Sequence, residues 1–176
     1  MRKATPGGWD DREAALIAAT QHAIARGPTV TAARLASHWG EHSWGWLATA
    51  ATGALVDPTR REIWLRAGVA AFTAHAGAVV VKRLVRRPRP CSDAVAVHVG
   101  TPSRLSFPSA HAASTTAFAL SAAPVIGVPV ASLALGAMAL SRIVLGVHYP
   151  TDVLAGAALG AVAALGTSRL LEGRAR

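Results

Sequence analysis

Between Trp44 and Ser168 the chain alternates long apolar stretches with polar ones, and the charged residues fall almost entirely in the polar stretches. The apolar stretches run Trp44–Val56, Ile63–Val81, Ser109–Ala122, Val125–Leu140 beyond Pro124, and Val153–Ser168. They lack the period-two alternation of a half-buried strand, and each is longer than an ordinary strand. No fixed-period repeat is present. The pattern predicts an all-α fold, an integral membrane helical bundle of about five transmembrane helices.

Composition agrees. Hydrophobic residues make up 52% and charged residues 15%, against roughly 25% charged in soluble domains. Alanine and glycine are abundant, which suits close helix–helix contact; Gly156 and Gly160, four apart, are placed for tight packing. The predicted helices are short. Fourteen residues from Ser109 rise about 21 Å against about 30 Å of hydrocarbon, so either the bilayer thins or helix ends lie below a wet cavity.

Residues 1–40 read as an N-terminal interfacial segment and 41–176 as the membrane-embedded domain. Asp10 and Asp11 stand where an N-cap and first-turn acids belong, with Glu13 behind them. The helix they start reaches Ala25 and is too short in its apolar run to cross a bilayer. Gly27–Pro28 ends it, and Thr29–Trp39 predicts a second surface helix. Trp44 and Trp46 suit the headgroup belt. The polar N-terminus, with its first apolar run broken by Gln21 and His22, does not read as a signal peptide.

The net charge of +9 admits nucleic acid, anionic lipid or a phosphorylated substrate as partner. Nucleic acid is set aside, because the arginines lie between apolar segments without an aromatic ladder or a nucleic-acid motif. Lipid headgroups and phosphate both fit. Cys91 is the sole cysteine, so no internal disulfide exists.

Three runs at the edges of apolar segments carry the chemistry. In Lys82–Pro90 (KRLVRRPRP), Pro88 and Pro90 flank Arg89 and hold it extended. Lysine offers phosphate a compact charge and arginine a planar fork, although basic residues beside a membrane helix also simply meet headgroups. In Pro108–His111 (PSAH), a helix start presents free N–H groups to an anion. The Ser109 hydroxyl adds a donor there, and His111 is placed to protonate a leaving oxygen. In Ser141–Asp152 (SRIVLGVHYPTD), Arg142 ends one apolar segment, and His148 and Asp152 are four apart. A carboxylate at that spacing fixes the tautomer of His148 and frees its other nitrogen for attack; an N-cap for the last helix is the plainer use of Asp152. His75, inside a crossing, is read as a hydrogen-bonded packing residue with cavity lining as the alternative, and Arg83, Arg86 and Arg87 as headgroup contacts with steering of an anionic substrate as theirs. His22, His38, His42 and His98 are read as solvated.

In order and internal spacing the three runs resemble the signature of the type-2 phosphatidic acid phosphatase superfamily: Lys-x6-Arg-Pro, Pro-Ser-Gly-His, and Ser-Arg-x5-His-x3-Asp. The resemblance covers roughly residues 60–168. Ala110 departs from the family's glycine, and five crossings with an interfacial segment depart from the six of many members. The resemblance implies a membrane lipid phosphatase working through a phosphohistidine. His148 is its nucleophile, Asp152 orients it, and His111 is the acid and then the base. Lys82, Arg89, Arg142, Ser109 and the Ala110 N–H hold the phosphate oxygens. Neither a metal nor another cofactor is implied, since fixed cations take the place of Mg²⁺.

The implied substrate is an amphiphile: phosphatidic acid, phosphatidylglycerophosphate, undecaprenyl diphosphate or a sugar-phosphate polyprenyl lipid. The small size, the alanine- and arginine-rich composition and the PSAH variant look most like the actinobacterial members that remove the 5-phosphate of decaprenylphosphoryl-phosphoribose in cell-wall arabinan synthesis. A vanadate-dependent haloperoxidase is opposed by length and hydropathy. A non-enzymatic anionic-lipid-binding protein would not need His111, His148 and Asp152 together. A bacterial plasma membrane is the expected location, and the greater share of Lys and Arg on the site's face leans it toward the cytoplasm.

Overall fold

The computed structural model describes residues 9–172. Its elements are α1 (Trp9–Ile24), α2 (Gly27–Gly40), α3 (Trp44–Val56), α4 (Arg61–Val85), α5 (Ala110–Ile126), α6 (Val128–Val144) and α7 (Pro150–Glu172). Short 3₁₀ turns at Glu41–Ser43 and Pro58–Arg60 lead into α3 and α4. No strand forms among the described residues; a single isolated bridge pairs Pro88 with Leu105.

Helix α5 is the central post. Residues 112–119 along it are buried on every side, with α4, α6 and α7 packed around it. The contact between α4, α5 and α7 is made of alanine: Ala70, Ala74, Ala78, Ala113 and Ala117 form one buried cluster with Ala110. Small side chains let the backbones approach, and the two glycines of α7 carry this furthest. A Cβ at Gly156 would lie 2.4 Å from the Ser109 carbonyl, and one at Gly160 2.3 Å from the Ala113 carbonyl. Large apolar side chains point outward instead, including Phe72, Leu84, Leu133, Leu154 and Leu165.

The expected break at Pro124 lies elsewhere. Helix α5 passes through Pro124 and stops at Ile126, where Gly127 takes φ +83 and caps the next helix. Pro129 sits in the first turn of α6, the position where a missing N–H costs nothing. Length and composition do not confirm five crossings. Among the described residues two helices are long and apolar enough to cross a membrane, over Pro58–Val85 and Pro150–Leu170. Helix α6 is apolar but shorter, and the 13 residues of α3 rise only about 20 Å.

Helices α1 and α2 are built into the bundle rather than laid beside it. Ile17 of α1 is fully buried, and Val30 and Ala33 of α2 pack on Val144, Leu145 and Val147. Gln21 donates to the carbonyls of Ala96 and Val144 and accepts from the Ala96 N–H. These bonds fasten the long 86–109 connection to the C-terminal end of α6. Gly146 completes that junction: at φ +67 its Cα faces the Ala96 carbonyl, and a Cβ would lie 2.3 Å away.

Candidate active site

The three runs meet at one end of the bundle. The last turn of α4 brings Lys82, the extended segment after it brings Arg89, and the first turn of α5 brings Ala110 and His111. The end of α6 brings Arg142, and the turn before α7 brings His148. All six line one cavity of about 220 Å³.

Local structure explains each placement. Arg86, in the left-handed region (φ 56), closes α4 by donating its N–H to the Lys82 carbonyl. Pro88 then keeps the chain extended as expected. The Ser106 N–H donates to the Arg87 carbonyl and the Arg89 N–H to the Arg104 carbonyl. Lys82 Nζ, almost fully buried, donates to the carbonyls of Leu105 and Ser106 at 3.0 Å. Arg89 donates to the carbonyls of Ser103 (2.8 Å) and Val147 (2.6 Å). Arg142 is 2% exposed, and its Nη2 is buried without a hydrogen-bond partner. An unpartnered guanidinium N–H in a cavity wall is a donor awaiting an acceptor.

His148 points toward the cations. Its Nε2 lies 3.3 Å from Arg89 Nη1; a guanidinium can only donate, so Nε2 is the acceptor. The neutral ring therefore carries its proton on Nδ1, which lies 3.5 Å from Asp152 Oδ2 and makes no hydrogen bond. Burial holds the His148 pKa well below the ordinary imidazole value, and the charges of Arg89, Lys82 and Arg142 push the same way. The ring is thus neutral, with its Nε2 lone pair toward Arg89 in the cavity wall.

Asp152 is fully buried and held from both sides. Oδ2 accepts from the Tyr149 N–H at 2.9 Å, the backward-reaching half of a capping box, so Asp152 stands in the first turn of α7 and not at its N-cap. Oδ1 accepts from Arg87 Nη1 at 3.0 Å. Arg87, expected among headgroups, instead faces inward. Its guanidinium also binds Asp10 and Glu13 of α1, donates to Thr151 Oγ1 at 2.7 Å, and lies 4.0 Å from the centre of the Tyr149 ring. Burial opposes the charged form of Arg87, and its carboxylate partners outweigh that and raise its pKa. Burial lowers Arg89 to about 10, with Asp152 and Glu41 pulling back, so it stays charged near neutrality.

Ser109 caps α5 from beneath, its Oγ accepting from the Ala112 N–H, and its own N–H donates to the Asp152 carbonyl at 2.9 Å. It is fully buried, while Ala110 reaches the cavity wall. His111 Nε2 lies 2.9 Å from the Ser37 carbonyl of α2. A carbonyl only accepts, so that nitrogen carries a proton and Nδ1 keeps the lone pair. Room for the ring comes from Gly40, where a Cβ would lie 2.6 Å from His111 Cδ2.

Sequence reasoning missed Glu13, Ser37, Gly40 and Glu41. None belongs to a motif, and each finds its partners by tertiary contact. His75, read as packing, lines the cavity, and exposed His42 stands at its mouth. The described residues contain no group of three His, Cys, Asp or Glu that could hold a metal ion.

Residues 63–176 match the PAP2 superfamily. The decaprenylphosphoryl-5-phosphoribose phosphatase of Mycolicibacterium smegmatis is 60% identical over 145 residues, covering 82% of this chain and 81% of that one. The protein of the same name from Mycobacterium tuberculosis H37Rv is 56% identical over 150 residues, 85% of each chain. Among solved structures, the transmembrane PAP2 type phosphatidylglycerolphosphate phosphatase of Bacillus subtilis superposes with a TM-score of 0.75 at 20% identity. It covers 97% of this chain and 89% of its own. Aquifex aeolicus LpxE gives 0.68 at 21% identity, over 88% and 93%. At such identities the likeness is one of fold. The three runs, the family match and the two mycobacterial relatives agree that this chain belongs to the PAP2 superfamily.

Proposed function

We infer that this chain is a membrane-embedded lipid phosphatase that removes the 5-phosphate from a polyprenylphosphoryl ribose, leaving the lipid-linked phosphodiester in place. The observation that carries the chemistry is the pairing of a neutral His148 Nε2 with Arg89 and the unsatisfied Arg142 donor across one small cavity. The names of the mycobacterial relatives support the substrate. The outward apolar belt and the two long apolar helices support a membrane setting; the mycobacterial relatives support a bacterial plasma membrane, and the Lys and Arg distribution supports a site that faces the cytoplasm.

In the first step His148 Nε2 attacks phosphorus. A P–N bond forms, the P–O bond to the sugar breaks, and the alkoxide takes a proton from His111. His111 enters this step as the imidazolium: Ser37 holds its Nε2–H, and the Nδ1 proton goes to the alkoxide, which leaves Nδ1 the lone pair that later takes the proton of water. Asp152 stabilises the imidazolium character of His148 through Nδ1. In the second step water attacks the phosphohistidine, His111 accepts its proton, and His148 leaves. Lys82, Arg89, Arg142 and the Ala110 N–H hold the phosphate oxygens as charge spreads, with Ser109 setting the helix start that presents them. These cations do the work that Mg²⁺ does elsewhere, so turnover continues in EDTA.

The test is phosphate release by purified protein from lipid-linked ribose 5-phosphate, undecaprenyl diphosphate, phosphatidylglycerophosphate and phosphatidic acid. The sugar lipid should be the best substrate, and His148→Ala should abolish release from all four. Turnover surviving in His148→Ala would remove the phosphohistidine, and preference for a glycerolipid would remove the sugar substrate.

A further inference from the structure

The cavity has a second wall that the bond-breaking chemistry does not use. Glu41 and His42, from the junction of α2 and α3, line it, as does His75 from the middle of α4. The junction turns through two consecutive non-glycine residues in the left-handed region, His42 (φ 47) and Ser43 (φ 64). Such residues are strained, and strain of this kind gathers at functional sites. Glu41 is the one carboxylate among the described residues lining the cavity. It is half-buried, and His42 Nδ1 approaches it at 3.6 Å, beyond ordinary hydrogen-bond reach. His75 Nδ1 is buried with no hydrogen-bond partner, and its ring centre lies 6.0 Å from that of His42.

A carboxylate facing a phosphate pocket works against anion capture, because like charges repel strongly where water is scarce. Its oxygens are nonetheless good acceptors for hydroxyl groups, and an unpaired ring nitrogen close by supplies one more polar contact. A substrate whose phosphate sits on a carbon chain rich in hydroxyls satisfies both; one whose neighbouring oxygens are acylated leaves both unpaired.

We propose that Glu41 and His75 form a hydroxyl-binding subsite that selects a sugar phosphate over a phosphate borne on an acylated glycerol. This rests on the reading of the substrate as a lipid-linked sugar phosphate and assigns its recognition to residues outside the three motifs. Discrimination of this kind arises where a mismatched ligand leaves a buried polar atom unpaired, here His75 Nδ1.

The experiment is competitive inhibition of the purified full-length enzyme, turning over its best lipid phosphate, by ribose 5-phosphate, butyl phosphate and inorganic phosphate. Wild type should bind ribose 5-phosphate about tenfold more tightly than butyl phosphate, the worth of one good hydrogen bond. Glu41→Gln and His75→Phe should each bring that ratio close to one, and Glu41→Asp should retain part of it. Equal inhibition of the wild type by the two organic phosphates overturns the proposal without recourse to any variant. It is also overturned if Glu41→Gln tightens all three inhibitors alike, since Glu41 then merely offsets surplus positive charge. Failure of the wild type to hydrolyse the lipid-linked ribose 5-phosphate would instead sink the substrate reading, and the inhibition ratio remains measurable in that case.

Discussion

In the proposed mechanism Asp152 orients His148, and Arg87 is what holds Asp152. A buried carboxylate keeps its charge only when it is paired and hydrogen-bonded; here Arg87 and the Tyr149 N–H supply those bonds. Arg87 is itself held by Glu13, whose Oε1 also accepts from the Thr151 N–H at 2.7 Å, at the start of α7. Arg87→Met should therefore cost about 3 kcal/mol of stability, read as a lowered Tm. It should also lower kcat by at least tenfold with little change in KM, because the loss falls on positioning and not on capture. A second expectation concerns pH. Burial among cations depresses the His148 pKa, so the neutral nucleophile persists as pH falls through the usual imidazole range near 6.5. The acid limb of kcat/KM assigned to this residue should lie below 6.5, once the substrate's own ionisation near 6 is measured separately. A limb at or above 6.5 contradicts the buried, neutral ring. At this scale the sequence was most legible where residue types are chemically unambiguous, as with Lys82, Arg89, His111, Arg142, His148 and Asp152. Arg87 was misread because a basic residue beside a membrane helix has a ready default, and its partners lie 65 to 77 residues away in the chain.

Helix positions followed from apolar run length, while helix ends followed from local chemistry that the runs conceal. Pro124 looked like a stop, yet a proline near a helix end removes one bond that the final turn can lose. Gly127 with Pro129 two residues on is the stronger punctuation. The glycines of α7 were legible by spacing, and their contacts make a prediction. Gly160→Val places branched carbon against the Ala113 carbonyl and Thr116. It should destabilise the protein by about 1–3 kcal/mol, as overpacking does, and should spare KM relative to Tm. Gly40 acts on the chemistry instead. A methyl group there pushes on His111 Cδ2 and the tip of Met138. Methionine yields easily, but the His111 ring is tethered to Ser37. Gly40→Ala should lower kcat with a small change in Tm, and an unchanged kcat would show that the ring tolerates displacement.

For the molecule as a whole, the all-helical architecture was legible because apolar runs of that length leave few alternatives. The docking of α1 and α2 was not, because their apolar faces are weak and their fixing bonds come from single residues such as Gln21 and Ser37. Sidedness is testable with the native chain. Cys91 is its sole cysteine, exposed, and two residues beyond Arg89 at the site's end of the bundle. A membrane-impermeant maleimide should leave intact cells unlabelled and label inverted vesicles, if that end faces the cytoplasm; the reverse pattern moves the site to the other side. The cavity also has two authors within one polypeptide. The cations that line it come from residues 82–142, whereas Ser37, Glu41 and His42 come from a stretch that precedes the one matching the superfamily. A chimera that keeps residues 63–176 and borrows its first two helices and that turn from another member should therefore retain the ability to cleave phosphate esters while exchanging its taste in head groups.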